Sequence, residues 1–481
     1  MRILVASSEA VPFAKTGGLA DVAGSLLKEF RRKRLKASLV MPLYGSVRSR
    51  FRLNDTGIKI SVPMGNFLFE GEIFTYGRGK CPEAIFIACD QFFGRPELYG
   101  TASSEYSDNA IRFIFFSRAV LEACMALDIS PDVVHCNDWQ TGMIPLYLKT
   151  LYAGQRQFSR TSTLFTIHNL GYQGNYDAFN MTYTGLGWDF FVPARLEFYG
   201  RMSLLKAGLL YADTLNTVSI TYAHEILTAE HGFSMDGVLS TRMDDLYGIT
   251  NGIDYHEWDP ANDPYLPAAY DAGNIKGKAV CRSRLARLAG FREEKAPIAA
   301  IVSRLSYQKG LDIFLESIDE MVSLGINIVL LGKGEEHYES ALSAAAERHR
   351  GRVYVHIGFE EPFAHLIYAG ADLFLMPSRY EPCGIGQLIA MRYGTLPVAR
   401  RTGGLADTIT DYDHLSGSGT GVLFNEFSSD AMTAAIKRGL CLYAEPSKMR
   451  QLARSLMLQD FSWDAASDRY IELYRRLEQK A

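Results

Sequence analysis

Residues 371–410 read ADLFLMPSRYEPCGIGQLIAMRYGTLPVARRTGGLADTIT. Residues 372–376 form an apolar run long enough for a buried strand and too short for a helix. Pro377 and Ser378 end it, and residues 379–384 form a loop with Glu381 just past the strand end. Helix-compatible residues run from 385 to 393, and Gly394 suits the C-terminal stop. Residues 396–399 make a second short strand, and Gly403 and Gly404 open a second turn into a helix. This order predicts a parallel α/β sheet. In such sheets ligands sit beyond the carboxyl ends of the strands, where Glu381 and the glycine turns fall.

The second turn has a twin. Residues 401–407 read RTGGLAD and residues 15–21 read KTGGLAD, identical at six of seven positions. A common small-residue turn recurs by chance, but both copies follow a short apolar strand and precede an apolar helix. A shared job is therefore expected, with backbone N–H groups at a helix N-terminus aimed at an anion and a cation beside them. One such turn in each half predicts two similar α/β domains.

Length agrees, because 481 residues exceed what one core usually supports. A net charge of −4 argues against nucleic-acid binding as the main function. The seven cysteines are scattered and never spaced as CxxC. That disfavours a disulfide framework or structural zinc site and fits a reducing cytoplasm. The opening apolar run is too short for a signal sequence, and no run approaches the roughly 20 apolar residues of a membrane span.

Working outward, strands are expected at 3–6, 37–41, 59–62, 73–76, 84–88, 132–135, 162–167 and 214–218. Helices are expected at 22–30, 109–127, 143–151 and from Thr221. Polar residues gather at the strand exits: Ser7–Glu9, then His135–Trp139, then His168–Gly174. The basic run at 31–36 (RRKRLK) reads as a solvated helix end rather than a polyanion site. The Pro-, Asp- and Asn-rich stretch after GITNGID, beginning near residue 250, reads as the passage between domains. The second half repeats the grammar: strands at 298–302, 326–331 and 353–357, a helix at 311–324, and the stretch quoted first. Ser462 caps a last amphipathic helix carrying Trp463, Tyr470, Leu473, Tyr474 and Leu477.

Arg304 and Lys309, in the strand-exit loop SRLSYQKG, suit a diphosphate, and with Lys15 and two glycine turns they point to phosphate binding. Glu381 has two readings: a carboxylate bonded to neighbouring backbone, or one that meets sugar hydroxyls or a developing cationic carbon. His168 and Asp138 end neighbouring strands, although a lone strand-end histidine is often a satisfied core residue. Trp139, Tyr172, Tyr99 and Trp188 are candidates to stack on sugar faces, against the more common role of aromatics in a core. Asp411-Tyr412-Asp413 has the DxD form of a metal site but lies in a polar loop with no convergent acid, and is set aside. A dinucleotide fold also fails, because GxGxxG does not follow the first strand and the second ends without an acidic ribose ligand.

KTGGLAD at Lys15, HNLGYQG at His168, ITNGID at Ile249, SRLSYQKG at Ser303, SRYEPCG at Ser378 and RRTGGLADT at Arg400 resemble the bacterial glycogen synthases and plant starch synthases. The resemblance runs from Met1 to the C-terminal helix, in order and with matching spacing. It implies two Rossmann-like domains (GT-B architecture) facing a deep cleft. The expected boundaries are 1–250 on the acceptor side, 251–459 on the donor side, and a helix at 460–481 returning to the first domain. It implies retaining transfer of glucose from ADP-glucose to the non-reducing end of an α-1,4-glucan (glycogen), with no metal or other cofactor.

Carried over by position, Lys15, Gly18 and Asp21 would contact the donor, and Arg304 and Lys309 would neutralise its diphosphate. Glu381 would hold the donor glucose with Cys383 and Gly384 beside it. His168 and Asn251 would bind the same sugar from the first domain, with Asn169 and Tyr99 nearby. Asp138 would line the acceptor side. Phe359 stands where some members carry a base-stacking Tyr, and Gly386 where some carry Thr. Ile389 replaces the second glutamate of the wider retaining group, which fits the synthase branch. With no second carboxylate near Glu381, a same-face displacement is expected, in which the leaving phosphate helps to deprotonate the acceptor. A UDP-glucose-dependent synthase and a non-catalytic glucan-binding protein are the competing readings. Oligomeric state is not legible.

Overall fold

The computed structural model describes the whole chain apart from Arg78, Lys80, Ala102, Ser103, Ala481 and the side chain of Lys480. It divides into two compact units, one made of Met1–Val218, Ala223–Ile249 and Trp463–Ala481, the other of Ser219–Tyr222 and Thr250–Ser462. Among the described residues no helix is long and apolar enough to cross a membrane.

The first unit is built on a nine-stranded sheet. From one edge the strands are Leu246–Gly248, Thr214–Thr217, Ser162–Ile167, Val133–Asn137, Arg2–Ala6, Lys36–Pro42, Ala84–Ala88, Phe67–Tyr76 and Asn54–Met64. The first seven are parallel and the last two antiparallel. The central parallel strands are buried on both faces, as in a sheet covered by helices. From Arg2–Ala6 the chain winds first toward Lys36–Pro42 and later returns to Val133–Asn137 on the other side. That reversal opens a crevice at the carboxyl ends. The expected short strands at 59–62 and 73–76 are parts of one long hairpin, Asn54–Met64 paired with Phe67–Tyr76. A small sheet of Asn175–Asp177, Arg201–Ser203 and Glu197–Phe198 was not foreseen, because strands of two or three residues carry no readable period.

The second unit holds a six-stranded parallel sheet ordered Val353–Ile357, Asn327–Gly332, Ile298–Val302, Leu373–Met376, Leu396–Arg400 and Val422–Phe424. Its direction reverses between Ile298–Val302 and Leu373–Met376. The stretch after Asp254 is not a bare passage but part of this unit. Trp258 stacks on His365 at 4.1 Å, the Asp263 carboxylate sits 2.7 Å from His365 Nδ1, and Asp259 pairs with Arg392. Its Pro and Asp content reflects an irregular path pinned by side chains.

The basic run beside the first helix is also not simply solvated. Arg32 bonds Asp464, and Lys33 pairs with Asp464 and Asp468 on the last helix, Trp463–Lys480. That helix lays Tyr470, Leu473, Tyr474 and Leu477 into the first unit, all buried.

Candidate functional site

In the first unit the loop after Arg2–Ala6 is organised by a residue the sequence did not single out. Glu9 is 4% exposed. Its carboxylate accepts the Thr16 backbone N–H, the Thr16 hydroxyl at 2.9 Å, the Tyr99 hydroxyl at 3.1 Å and the Gly17 N–H. Burial pushes its pKa up, and these donors oppose that. Two N–H groups expected to face an anion are therefore taken by Glu9. What the turn still offers is Gly18 at the start of the helix Gly18–Arg32, and Lys15, whose Nζ lies 2.6 Å from Asp21 Oδ1. Burial raises the Asp21 pKa and Lys15 pulls it down. The Tyr99 hydroxyl is held by Ser8 Oγ at 2.7 Å as well as by Glu9, so this side chain supports the loop.

At the next strand exit Asp138 has φ 55° and ψ −178°, a conformation costly for any residue with a Cβ. Its Oδ1 accepts the His168 N–H at 2.7 Å, and the carboxylate also accepts the Asn169 N–H. Burial pushes the Asp138 pKa up to about 7. His168 is half-buried, its Nε2 is 2.9 Å from Asn137 Oδ1, and burial drives its pKa down to about 3. The ring is therefore neutral and works as a hydrogen-bonding group. Asn169 Oδ1 caps the turn by accepting from Gly171 N–H at 3.0 Å. Trp139 is core, packed edge-on to Phe113 at 4.9 Å, whereas Tyr172 and Trp188 are exposed.

In the second unit, loops from the two strands flanking the reversal meet. Lys309 Nζ lies 2.6 Å from Glu381 Oε2, which also accepts the Ser378 hydroxyl at 2.9 Å. Glu381 is 5% exposed. The approach depends on Gly310 at φ 66°, where a Cβ would sit 1.9 Å from the Pro377 carbonyl oxygen. A backbone bond from Arg379 N–H to Gln308 O (2.9 Å) and a side-chain bond from Gln308 Nε2 to Tyr380 O (3.3 Å) complete the seam. Arg379 stacks between Tyr307 and Phe427 and bonds Asp312, so it braces the loop. Arg304 is exposed on the same loop as Lys309, and Leu305 anchors that loop to the backbone of Lys333 and Glu335. Gly332 and Gly334 permit this, since a Cβ on either would strike the backbone of Ser303 or Leu305.

Cys383 is buried, its thiol pKa pushed up to about 12, with its sulfur facing the Asn251 N–H. Asn251 thus lies in the second unit, not the first, because the chain has already passed over at Thr250. Its buried Oδ1 has no partner among the described residues, an acceptor that a ligand hydroxyl or N–H could satisfy. Gly384 adopts φ 73°, and Phe359 is 77% exposed past its strand end. The second glycine turn departs from its expected role. Gly404 N–H donates to the Glu381 carbonyl at 3.0 Å, and a Cβ on Gly403 or Gly404 would lie 2.0 Å from the Glu381 or Cys383 carbonyl oxygen. The turn therefore seats the Glu381 loop. Asp407, the twin of Asp21, accepts the Ile220 and Thr221 N–H groups. In the set-aside DxD, Asp411 pairs with Arg438 and Asp413 bonds the following turn.

Residues 2–241 match the family model described as starch synthase catalytic domain, and 286–456 match glycosyl transferases group 1. A glycogen synthase of Thermodesulfovibrio yellowstonii is 45% identical, covering 99% of this chain and 98% of that one. One of Desulforudis audaxviator is 44% identical over 100% and 97%. The catalytic domain of starch synthase IV from Arabidopsis thaliana, solved with ADP and acarbose, superposes with a TM-score of 0.91 at 31% identity, covering 99% of both chains. Sucrose-phosphate synthase from Thermosynechococcus elongatus shares the GT-B fold, with a TM-score of 0.63 at 17% identity over all of both chains. The chain belongs to the glycogen synthase and starch synthase family of glycosyltransferases.

Proposed function

We propose that this enzyme transfers glucose from ADP-glucose to the non-reducing end of an α-1,4-glucan with retention of configuration, elongating glycogen in the cytoplasm without a metal ion. Residues 1–250 are assigned to the acceptor, 251–459 to the donor, and 460–481 to the returning helix. The observation that carries the reading is the Lys309–Glu381 pair, a half-buried lysine on a buried carboxylate, at the sheet reversal of the second unit. It fixes a cation for a diphosphate beside a carboxylate for the sugar. The Arabidopsis relative's ADP and acarbose support both substrate classes.

In this reading the bond from glucose C1 to the diphosphate oxygen breaks, and its electron pair leaves with the diphosphate. Lys309, Arg304 and Lys15 stabilise that charge as it develops. Glu381 stabilises the positive charge on the sugar. The acceptor hydroxyl bonds to C1 from the face the diphosphate leaves, and its proton passes to a diphosphate oxygen. His168, being neutral, and Asn251 hold sugar hydroxyls, while Asp138 orients the acceptor. Gly18 and Asp21 contact the donor, Cys383 and Gly384 stand beside Glu381, and Phe359 stacks on the base.

The test is incubation with ADP-glucose and glycogen, with and without a chelator, following ADP release and glucan mass. Glycogen-dependent ADP release that survives chelation is expected. Faster turnover of UDP-glucose would overturn the donor assignment, and no turnover of either donor would overturn the activity.

A further inference from the structure

Beside the first-unit strand exits that carry Asp138 and His168 runs a chain of hydrogen bonds that the proposed reaction does not use. Tyr474 O–H lies 2.8 Å from His135 Nδ1, and His135 Nε2 lies 2.5 Å from Thr166 Oγ1. Thr166 donates to Asn216 Oδ1 at 2.5 Å, and Asn216 Nδ2 donates to the Tyr470 hydroxyl oxygen at 3.2 Å. All five side chains are fully buried. Their donors allow one direction only. Thr166 spends its proton on Asn216, so it accepts from His135 Nε2–H. Nδ1 is then the acceptor, and Tyr474 must donate to it. Burial holds the His135 pKa at about 3, which keeps one ring nitrogen free of a proton, as this direction requires.

The chain begins and ends on the last helix and crosses three adjacent strands, Val133–Asn137, Ser162–Ile167 and Thr214–Thr217. His135 stands three residues before Asp138, and Thr166 two before His168. Apolar side chains of like volume would hold a helix here as firmly, since buried polar groups stabilise little even when satisfied. What the polar chain adds is direction, because each bond fixes one strand laterally against the next.

We infer that Tyr474 and Tyr470 are positioning residues for the transfer reaction, setting through His135 and Thr166 where Asp138 and His168 stand. This rests on the roles proposed above for Asp138 and His168. The last helix is then part of the site's geometry and not only of its scaffold.

The experiment measures kcat, KM for each substrate and the melting curve for Tyr474→Phe, Tyr470→Phe, Thr166→Val and the Tyr474→Phe/Thr166→Val double variant, assayed well below unfolding. Asp464→Asn/Asp468→Asn, which loosens the helix without touching the chain, is the control. Tyr474→Phe should lower kcat ~10-fold or more, as small misplacements of reacting groups do, with donor KM nearly unchanged. The double variant should lose little beyond the larger single loss, and the control should keep its kcat. A Tyr474→Phe or Tyr470→Phe protein that melts lower yet keeps full kcat overturns the inference, since a merely structural tyrosine behaves so. Asp138→Asn and His168→Ala run alongside. If they lose kcat while the tyrosine variants do not, this inference falls alone. If they keep kcat, the site reading falls and takes this inference with it.

Discussion

At the scale of single residues the proposed chemistry rests on largely buried charges whose partners lie far away in sequence. Lys309 and Glu381 are 72 positions apart and 2.6 Å apart in space. Removing one partner strands the other, so Lys309→Met should cost ~2–4 kcal/mol of stability in urea unfolding, some of the usual penalty being lost to partial exposure. The Lys309→Met/Glu381→Gln double variant should recover part of that loss, while both variants lose kcat by ~100-fold or more.

Asp138 yields a pH prediction. Its folded carboxyl binds a proton more tightly than the unfolded one, so its contribution is complete below about pH 4 and is lost as pH rises through about 7. Asp138→Asn, which keeps the acceptor for His168 N–H, should therefore be more stable than the parent at pH 8 by ~2–4 kcal/mol. The gain should vanish near pH 4, as followed by denaturant unfolding at both pH values. The residue types of this site were legible in the strand-exit motifs. Glu9 was not, because Thr16 and Tyr99 become its partners only when the loop closes and no periodic signal marks that.

At the scale of elements, two nearly identical heptapeptides do different work. The turn at Lys15 faces Glu9 and leaves Gly17 with open space around its Cβ position, whereas the turn at Arg401 is packed against the Glu381 loop. Gly404→Ala should displace that loop, lowering the melting temperature and reducing kcat by ~100-fold or more. Gly17→Ala, at an extended φ of −159°, should shift stability by no more than ~1 kcal/mol. Comparable melting losses for the two would contradict this division. The shared sequence reported a shared local shape, a strand leading into a helix N-terminus. It did not report which neighbour each turn would meet.

At the scale of the whole molecule, the chain completes its first unit with its last helix. Trp463, Tyr470, Ile471, Leu473, Tyr474 and Leu477 are all under 7% exposed. Burying six such side chains contributes on the order of 10 kcal/mol, comparable to the net stability of a domain. Ending the chain after Ser462 should therefore unfold the first unit and leave the second protected, as read by amide hydrogen exchange. The rim ion pairs at Arg32 and Lys33 are largely exposed on their acidic side. Reversing Asp464 and Asp468 to Lys should cost only ~1 kcal/mol.

The amino-acid sequence alone determined the two runs of parallel strands, the strand exits that bear chemistry, and the family. Those features are written in apolar runs of strand length and in motifs read over a few neighbouring residues. Tertiary structure alone decided that Glu9 takes the first turn's N–H groups and that the second turn seats the Glu381 loop. It alone decided that the basic run clasps the last helix, and that Tyr474 reaches His135 across 339 positions. Local pattern reports which backbone forms and which face is apolar. Which polar groups pair in the interior depends on which strands become neighbours, and that is settled only when the sheet is assembled.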